Sequence, residues 1–247
     1  MIKVENLKKN FGTLQVLDGI SFELEKGQVL AVVGPSGTGK STLLRCLNYL
    51  EKPSEGKIMI GDVVVDSKRI KKQEIYCLRA KTAMVFQNYN LFKNKTALQN
   101  IMEPMISVQG MERQMAKEKA MEILQMIGLE EKRDSYPSQL SGGQQQRIGI
   151  GRAMAVAPEV MLIDEPTSSL DPELVGEVLN LLYKLARNHM TMIIATHEME
   201  FAKNIADRVI FLDRGKIIEE GEAQQFFSNP KTERARLFLR KFIKEET

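Results

Sequence analysis

Val29-Leu30-Ala31-Val32-Val33 runs directly into Gly34-Pro35-Ser36-Gly37-Thr38-Gly39-Lys40-Ser41, and a helical pattern from Thr42 to Leu50 follows. An apolar run without polar alternation predicts a strand buried on both faces. The next eight residues fit G-x-x-x-x-G-K-[ST] in the required context, between a buried strand and a helix. Glycines there let backbone N–H groups close around phosphate oxygens, and the helix start adds the positive end of its dipole. Lys40, read as a surface lysine of the loop, reaches the outer phosphates, and the Ser41 hydroxyl sits on Mg²⁺. The stretch predicts a nucleotide site on a parallel α/β fold.

Two further segments supply partners for a phosphate. Val160-Met161-Leu162-Ile163 is a second bare apolar strand, and Asp164-Glu165 follows it. Asp164 is the expected Mg²⁺ carboxylate. Glu165, one residue further from the metal, is the expected acceptor for the proton of an attacking water. In Leu140-Ser141-Gly142-Gly143-Gln144 the Ser141/Gln144 pair is a capping box that predicts a helix start. Such a start exposes N–H donors to an anion, and Gly142-Gly143 admits close approach. Taken alone, that segment reads equally as a plain helix cap.

Outward from these motifs, short strands fill the N-terminal part: Ile2 to Val4, Leu14 to Leu24, and a hairpin over Lys57 to Val65 turning at Gly61-Asp62. From Thr96 to Met126 the apolar spacing is helical, with Ala116, Ala120, Ile123, Leu124 and Ile127 three or four residues apart. After about residue 158 strands and helices alternate: Val160 to Ile163, Pro172 to Arg187, Met192 to Ala195, Glu198 to Ala206, Val209 to Leu212, Lys216 to Ile218. That alternation predicts a parallel sheet covered on both faces, with the helix-rich stretch 88–152 inserted between its halves.

Composition narrows the classes. The chain has 247 residues, 43% hydrophobic and 27% charged, a globular balance that excludes disorder and collagen. Thirty-five basic against 32 acidic residues leave +3, too little to argue for nucleic acid. The basic excess is local, in Asp66 to Lys81 and in Lys231 to Thr247, and both read as solvated faces. Cys46 and Cys77 make neither a disulfide framework nor a metal site, which suits a reducing compartment. The longest uncharged stretch, Gly27 to Gly39, is too short and too rich in glycine to span a bilayer. The chain is expected to be soluble and intracellular.

With these residues in place the sequence resembles an ATP-binding-cassette (ABC) ATPase over essentially its whole length. Leu140 to Gln144 matches the family's LSGGQ signature and Asp164-Glu165 its Walker B end. Gln87 resembles the Q-loop glutamine, Ser169-Leu170-Asp171 the D-loop, and His197 the switch histidine. Phe11 stands where the family stacks an aromatic on adenine. Without that resemblance Phe11 would read as core, Gln87 as a polar loop residue, His197 as structural and Asp171, before Pro172, as an N-cap.

The resemblance implies a P-loop NTPase (RecA-like) parallel-sheet core with an N-terminal antiparallel β subdomain and an inserted α-helical signature subdomain. Residues 1–247 then form one nucleotide-binding domain, with 1–87 and 153–247 as core and about 88–152 as the helical part. It implies ATP held by Phe11, Val16, Ser36, Gly37, Thr38, Gly39, Lys40, Ser41, Thr42, Ser141, Gly142, Gly143, Gln144 and Asp171. Mg²⁺ falls to Ser41, Gln87 and Asp164, and catalysis to Glu165, His197 and Gln87. One phosphate loop and one signature per chain imply a head-to-tail homodimer, with each ATP between Gly34–Thr42 of one copy and Ser141–Gly143 of the other.

Within the family the chain is most similar to ATPase subunits of polar amino-acid importers, through 84–92, 195–202, 206–211 and 226–230. This implies membrane permease subunits, an extracytoplasmic solute-binding protein acting indirectly, no nucleic acid, and a peripheral place on the cytoplasmic side of the membrane. The alternatives are a nucleic-acid-associated ABC ATPase and the ATPase of an exporter or division complex. Two departures stand out. Asn88 and Lys93-Asn94-Lys95 differ where a permease is expected to be sensed, with both lysines expected to be exposed. Gly149 and Gly151 replace small alanines and are expected to loosen the signature helix.

Overall fold

The computed structural model describes residues 1–243; Lys244 to Thr247, the end of the basic C-terminal run, lie outside the described residues. The first two strands, β1 (Ile2–Phe11) and β2 (Leu14–Leu24), form a hairpin, and β3 (Val29–Val33) leads into the glycine loop and α1 (Lys40–Leu47). A second hairpin follows, β4 (Glu55–Ile60) and β5 (Val63–Asp66), then α2 (Lys72–Lys81) and β6 (Thr82–Val85). Three helices come next, α3 (Ala97–Ser107), α4 (Arg113–Met126) and α5 (Gly142–Ala155). The chain closes with β7 (Val160–Asp164), α6 (Pro172–Arg187), β8 (Met192–Ala195), α7 (Met199–Ile205), β9 (Arg208–Asp213), β10 (Lys216–Glu222), α8 (Ala223–Ser228) and α9 (Glu233–Ile243).

Two sheets result, an antiparallel one of order β2-β1-β4-β5 and a six-stranded one of order β10-β9-β3-β8-β7-β6. In the second sheet only the β9–β10 pair is antiparallel. The parallel strands are buried on both faces, as their unbroken apolar runs require. Successive side chains enter different cores. Leu30, Val32, Val160, Leu162, Ile193, Ala195, Ile210 and Leu212 pack with the antiparallel sheet and α1. On the opposite face Met161, Ile163, Met192 and Ile194 pack with α3 to α6, and Ala31, Val33, Val209 and Phe211 with α7 to α9. Each fully buried aliphatic side chain contributes on the order of 1.5–3 kcal/mol, and the observed strand order sets β3, β8 and β7 side by side, which brings the loops after them together.

The helical stretch from Thr96 is divided into two helices. Pro104 lies inside α3, the chain leaves the helix after Ser107, and Gly110 takes φ 66°. The N-terminal helix is shorter than expected because Tyr49 is left-handed, at φ 56°, and Asn48 caps α1. The basic run before Lys81 is partly structural. It contains α2 with Leu78 buried, Arg79 donates to the carbonyls of Asn48 and Tyr49, and Lys81 pairs with Asp62 and Glu159.

The signature helix α5 runs unbroken from Gly142 to Ala155, with Gly149 and Gly151 both buried. A Cβ on Gly151 would meet methyl carbons of Ile123, Ile127 and Ile101 at 3.0, 3.1 and 3.3 Å. The missing side chain there is what lets three isoleucines close over the helix. Space, rather than flexibility, accounts for this glycine.

Candidate functional site

The glycine loop is shaped by close approach. Gly34 has φ 148°, and a Cβ on it would lie 2.0 Å from the Leu212 carbonyl oxygen. No side chain fits where the loop leaves β3 beside β9. Gly39, at φ 105°, caps α1 and lies against Val16, whose carbonyl oxygen would be 2.9 Å from an added Cβ. Ser36 and Gly37 are exposed at the crest, Thr38 is buried with its hydroxyl donating to the Pro35 carbonyl at 2.9 Å, and Thr42 is half-buried.

Lys40 is not the surface lysine expected from its place in a loop. It is 4% exposed, and its ammonium donates to the carbonyls of Gly34 at 2.9 Å and Pro35 at 3.1 Å. Burial lowers its pKa, an effect that Glu165 and Asp164 oppose. The Ser41 hydroxyl donates to Asp164 Oδ1 at 2.7 Å, and Arg45 lies 3.8 Å from Oδ2. Asp164 ends β7 and is buried. Desolvation pushes its carboxyl above the ordinary range, with Ser41 and Arg45 resisting.

Glu165 differs from its neighbour. Its backbone is left-handed at φ 45°, which turns the chain away from the strand. Oε1 accepts from His197 Nε2 at 2.8 Å and lies 3.8 Å from Lys40 Nζ. The hydrogen bond from His197 outweighs burial and holds the Glu165 carboxyl below its usual range. Five residues scattered from 40 to 197 thus meet at the ends of β3, β7 and β8, joined by their own contacts.

The second glycine segment has other neighbours. Ser141 caps α5: its Oγ accepts from the Gln144 N–H at 3.2 Å, and the Gln144 side chain accepts from the Ser141 N–H at 3.0 Å. A Cβ on Gly142 would meet the Tyr89 hydroxyl at 2.7 Å and Leu170 at 3.1 Å, and one on Gly143 would meet Leu174 at 3.2 Å. None of these belongs to the phosphate loop. Asp171 is the N-cap residue of α6, yet its side chain makes no capping hydrogen bond and is exposed.

Gln87 lies exposed just beyond β6, and no hydrogen bond among the described residues ties it to Ser41 or Asp164. The loop after it is held from behind by residues that no motif marks. Arg152 donates to the carbonyls of Asn90 at 2.7 Å and Tyr89 at 3.2 Å, and buried Asn100 accepts from the Phe92 N–H at 2.8 Å. Tyr89 donates to the Ser169 carbonyl at 3.0 Å. Of the two lysines expected on this surface, Lys93 is exposed, whereas Lys95 is half-buried and paired with Glu103. Phe11 is 46% exposed beside the β1–β2 turn, so it is not a core aromatic, and His189 is exposed.

The ABC transporter family model matches residues 17–168. The chain is 56% identical to the probable amino-acid import ATP-binding protein YxeO of Bacillus subtilis, over 97% of this chain and 96% of that protein. It is 50% identical to the L-cystine import ATP-binding protein TcyC of Bacillus subtilis over 98% and 99%, and 49% identical to the glutamine transport ATP-binding protein GlnQ of the same organism over 98% and 99%. Among solved structures it resembles the dimeric bacterial ABC transporter cassette MJ0796, with TM-score 0.80 and 33% identity over 91% of this chain and 99% of that one.

Proposed function

The chain belongs to the ABC transporter family, and from that membership we propose that it is the ATP-hydrolysing subunit of an import system for a polar amino acid. It acts as one nucleotide-binding domain in a head-to-tail dimer, on the cytoplasmic face of a membrane, against separate permease subunits that receive solute from a binding protein outside. Relatives named for amino-acid import support the substrate class. Among the described residues no helix is long and apolar enough to cross a membrane, which supports separate permeases. The observation that carries the reading is the joining of Lys40, Ser41, Asp164, Glu165 and His197 at one end of the sheet.

The residues fit Mg²⁺. Ser41 Oγ and Asp164 Oδ1 are hard oxygen donors already 2.7 Å apart. No cluster of three or more metal-ligating side chains exists among the described residues. A site with so few protein ligands suits an ion that keeps waters and takes phosphate oxygens. Ser41 and Asp164 would hold it, with Gln87 as a further candidate ligand, and it would supply neutralising charge on the phosphates.

This chain's own groups do the rest. The loop N–H groups and the start of α1 bind phosphate oxygens, and Lys40 exchanges its two carbonyl partners for them. Phe11 stacks the base, with Val16 beside it. Glu165, whose carboxyl His197 holds below its usual range, accepts a hydrogen bond from a water aligned for in-line attack and takes its proton as the bond from the terminal phosphate to ADP breaks. His197 holds that carboxylate and reaches the outer phosphate. From the second copy, Ser141 to Gln144 and Asp171 close the site with α5 N–H donors aimed at developing charge. Replacing Glu165 with Gln keeps size and hydrogen bonding but removes the charge. ATP turnover of the purified subunit should fall about 10²- to 10⁴-fold while ATP still binds; near-normal turnover would move the water-orienting role elsewhere.

A further inference from the structure

Phe11 and Lys40 belong to different parts of the fold. Phe11 ends β1 in the antiparallel sheet, and Lys40 begins α1, which packs between that sheet and the parallel one. A nucleotide that stacks on the first and lays its phosphates on the second needs the spacing between them fixed. On the strand that carries Phe11, one buried charged side chain reaches the segment that follows α1. Along β1 the inward residues are Ile2 and Val4, then the left-handed Asn6 at φ 47° shifts the alternation so that Leu7 and Lys9 turn inward. The pairing with β2 shifts again between Lys9 and Asn10, and the Lys9 ammonium lies over the ring of Phe11, two residues on.

Lys9 is 9% exposed, and its ammonium has three neighbours for its three N–H donors. It donates to the Lys52 carbonyl at 3.0 Å, lies 3.0 Å from Glu51 Oε2, and sits 4.3 Å from the centre of the Phe11 ring. Glu51 is itself fastened to α1, since its N–H donates to the Arg45 carbonyl at 3.1 Å. The contacts form one chain: α1, Glu51, Lys9, Phe11. A cation against one face of an aromatic ring is attracted by the π quadrupole. It draws electron density from the opposite face, which then stacks better with an electron-rich purine.

We propose that Lys9 is a positioning residue for nucleotide binding, holding the Phe11 ring at a set distance from the phosphate loop and leaving its outer face to the base. This rests on the assignment of Phe11 and the glycine loop to ATP. The test compares two ligands by calorimetry, ATP and inorganic tripolyphosphate, on wild type, Lys9→Met, Phe11→Ala and the double variant. Lys9→Met should weaken ATP about threefold to tenfold and leave tripolyphosphate within about twofold. In the Phe11→Ala background Lys9→Met should weaken ATP no further. Equal losses for both ligands, no loss for ATP, or an undiminished effect without Phe11 would overturn the proposal. Should Lys9→Met not fold, Glu51→Gln, which removes one anchor of the ammonium, must show the same loss confined to ATP; its absence overturns the proposal as well. A wild-type chain that binds neither ligand would instead overturn the nucleotide assignment beneath it.

Discussion

The two glycines of the signature helix should respond oppositely to alanine. Both lie inside α5, where Gly is less favourable than Ala by about 1 kcal/mol. At Gly149 a Cβ would find its nearest neighbour, the Tyr89 carbonyl oxygen, at 3.5 Å, an ordinary contact. Gly149→Ala should therefore stabilise by about 1 kcal/mol, raising Tm by about 2–4 °C in a chain of this size. At Gly151 the same methyl meets three isoleucines at 3.0–3.3 Å in a packed core. Overpacking costs about 1–3 kcal/mol, so Gly151→Ala should be neutral or destabilising. Urea unfolding of both variants measures this, with an unchanged m-value confirming that the midpoint shift reflects stability. Equal stabilisation at both positions, or a loss at Gly149, would refute the packing account of these glycines.

Lys40→Ala removes a buried cation beside Glu165, so ATP affinity should fall at least about a hundredfold and stability should also drop by about 1–3 kcal/mol; nucleotide titration showing unchanged affinity would contradict the loop's role. Lys93→Glu should impair permease assembly or stimulation and spare the basal ATPase, whereas Lys95→Glu should also destabilise the subunit by opposing Glu103; normal reconstituted transport by the Lys93 variant would remove this interface. Glu219 is drawn upward in pKa by burial but held below its ordinary value overall by the N–H groups of Lys231 and Thr232 and the Thr232 hydroxyl. A lowered folded pKa contributes stability above the unfolded value and loses it on acidification. The stability advantage of wild type over Glu219→Gln should thus be full near neutral pH and shrink as pH falls below about 4; an advantage that grows in acid would refute it.

Much of this fold was legible because its decisive signals are local. Val29 to Val33 could only be a doubly buried strand, and the Ser141/Gln144 and Asp171-Pro172 pairs mark helix starts that the structure contains. The break between α3 and α4 leaves no mark in the apolar spacing, which continues across Gly110. The exposure of Lys40 was misjudged because loop residues are ordinarily exposed, while this loop folds over the ammonium to satisfy it with its own carbonyls. Arg152 and Asn100 carry no signal in the sequence, since their partners are loop carbonyls and an N–H whose positions depend on tertiary packing. Lys9 was hidden by the bulge at Asn6, which turns a residue of nominally outward register into the interior.

In the proposed dimer two copies complete each other's nucleotide sites. Within one chain Gly142 and Gly143 face Tyr89, Leu170 and Leu174 rather than the phosphate loop. Light scattering during size-exclusion chromatography with Mg²⁺ and ATP tests this most directly, using Glu165→Gln to keep ATP intact. Glu165→Gln should elute as a dimer, and Glu165→Gln/Ser141→Arg should bind ATP yet remain a monomer. A Glu165→Gln protein that is saturated with ATP and still monomeric would contradict the claim.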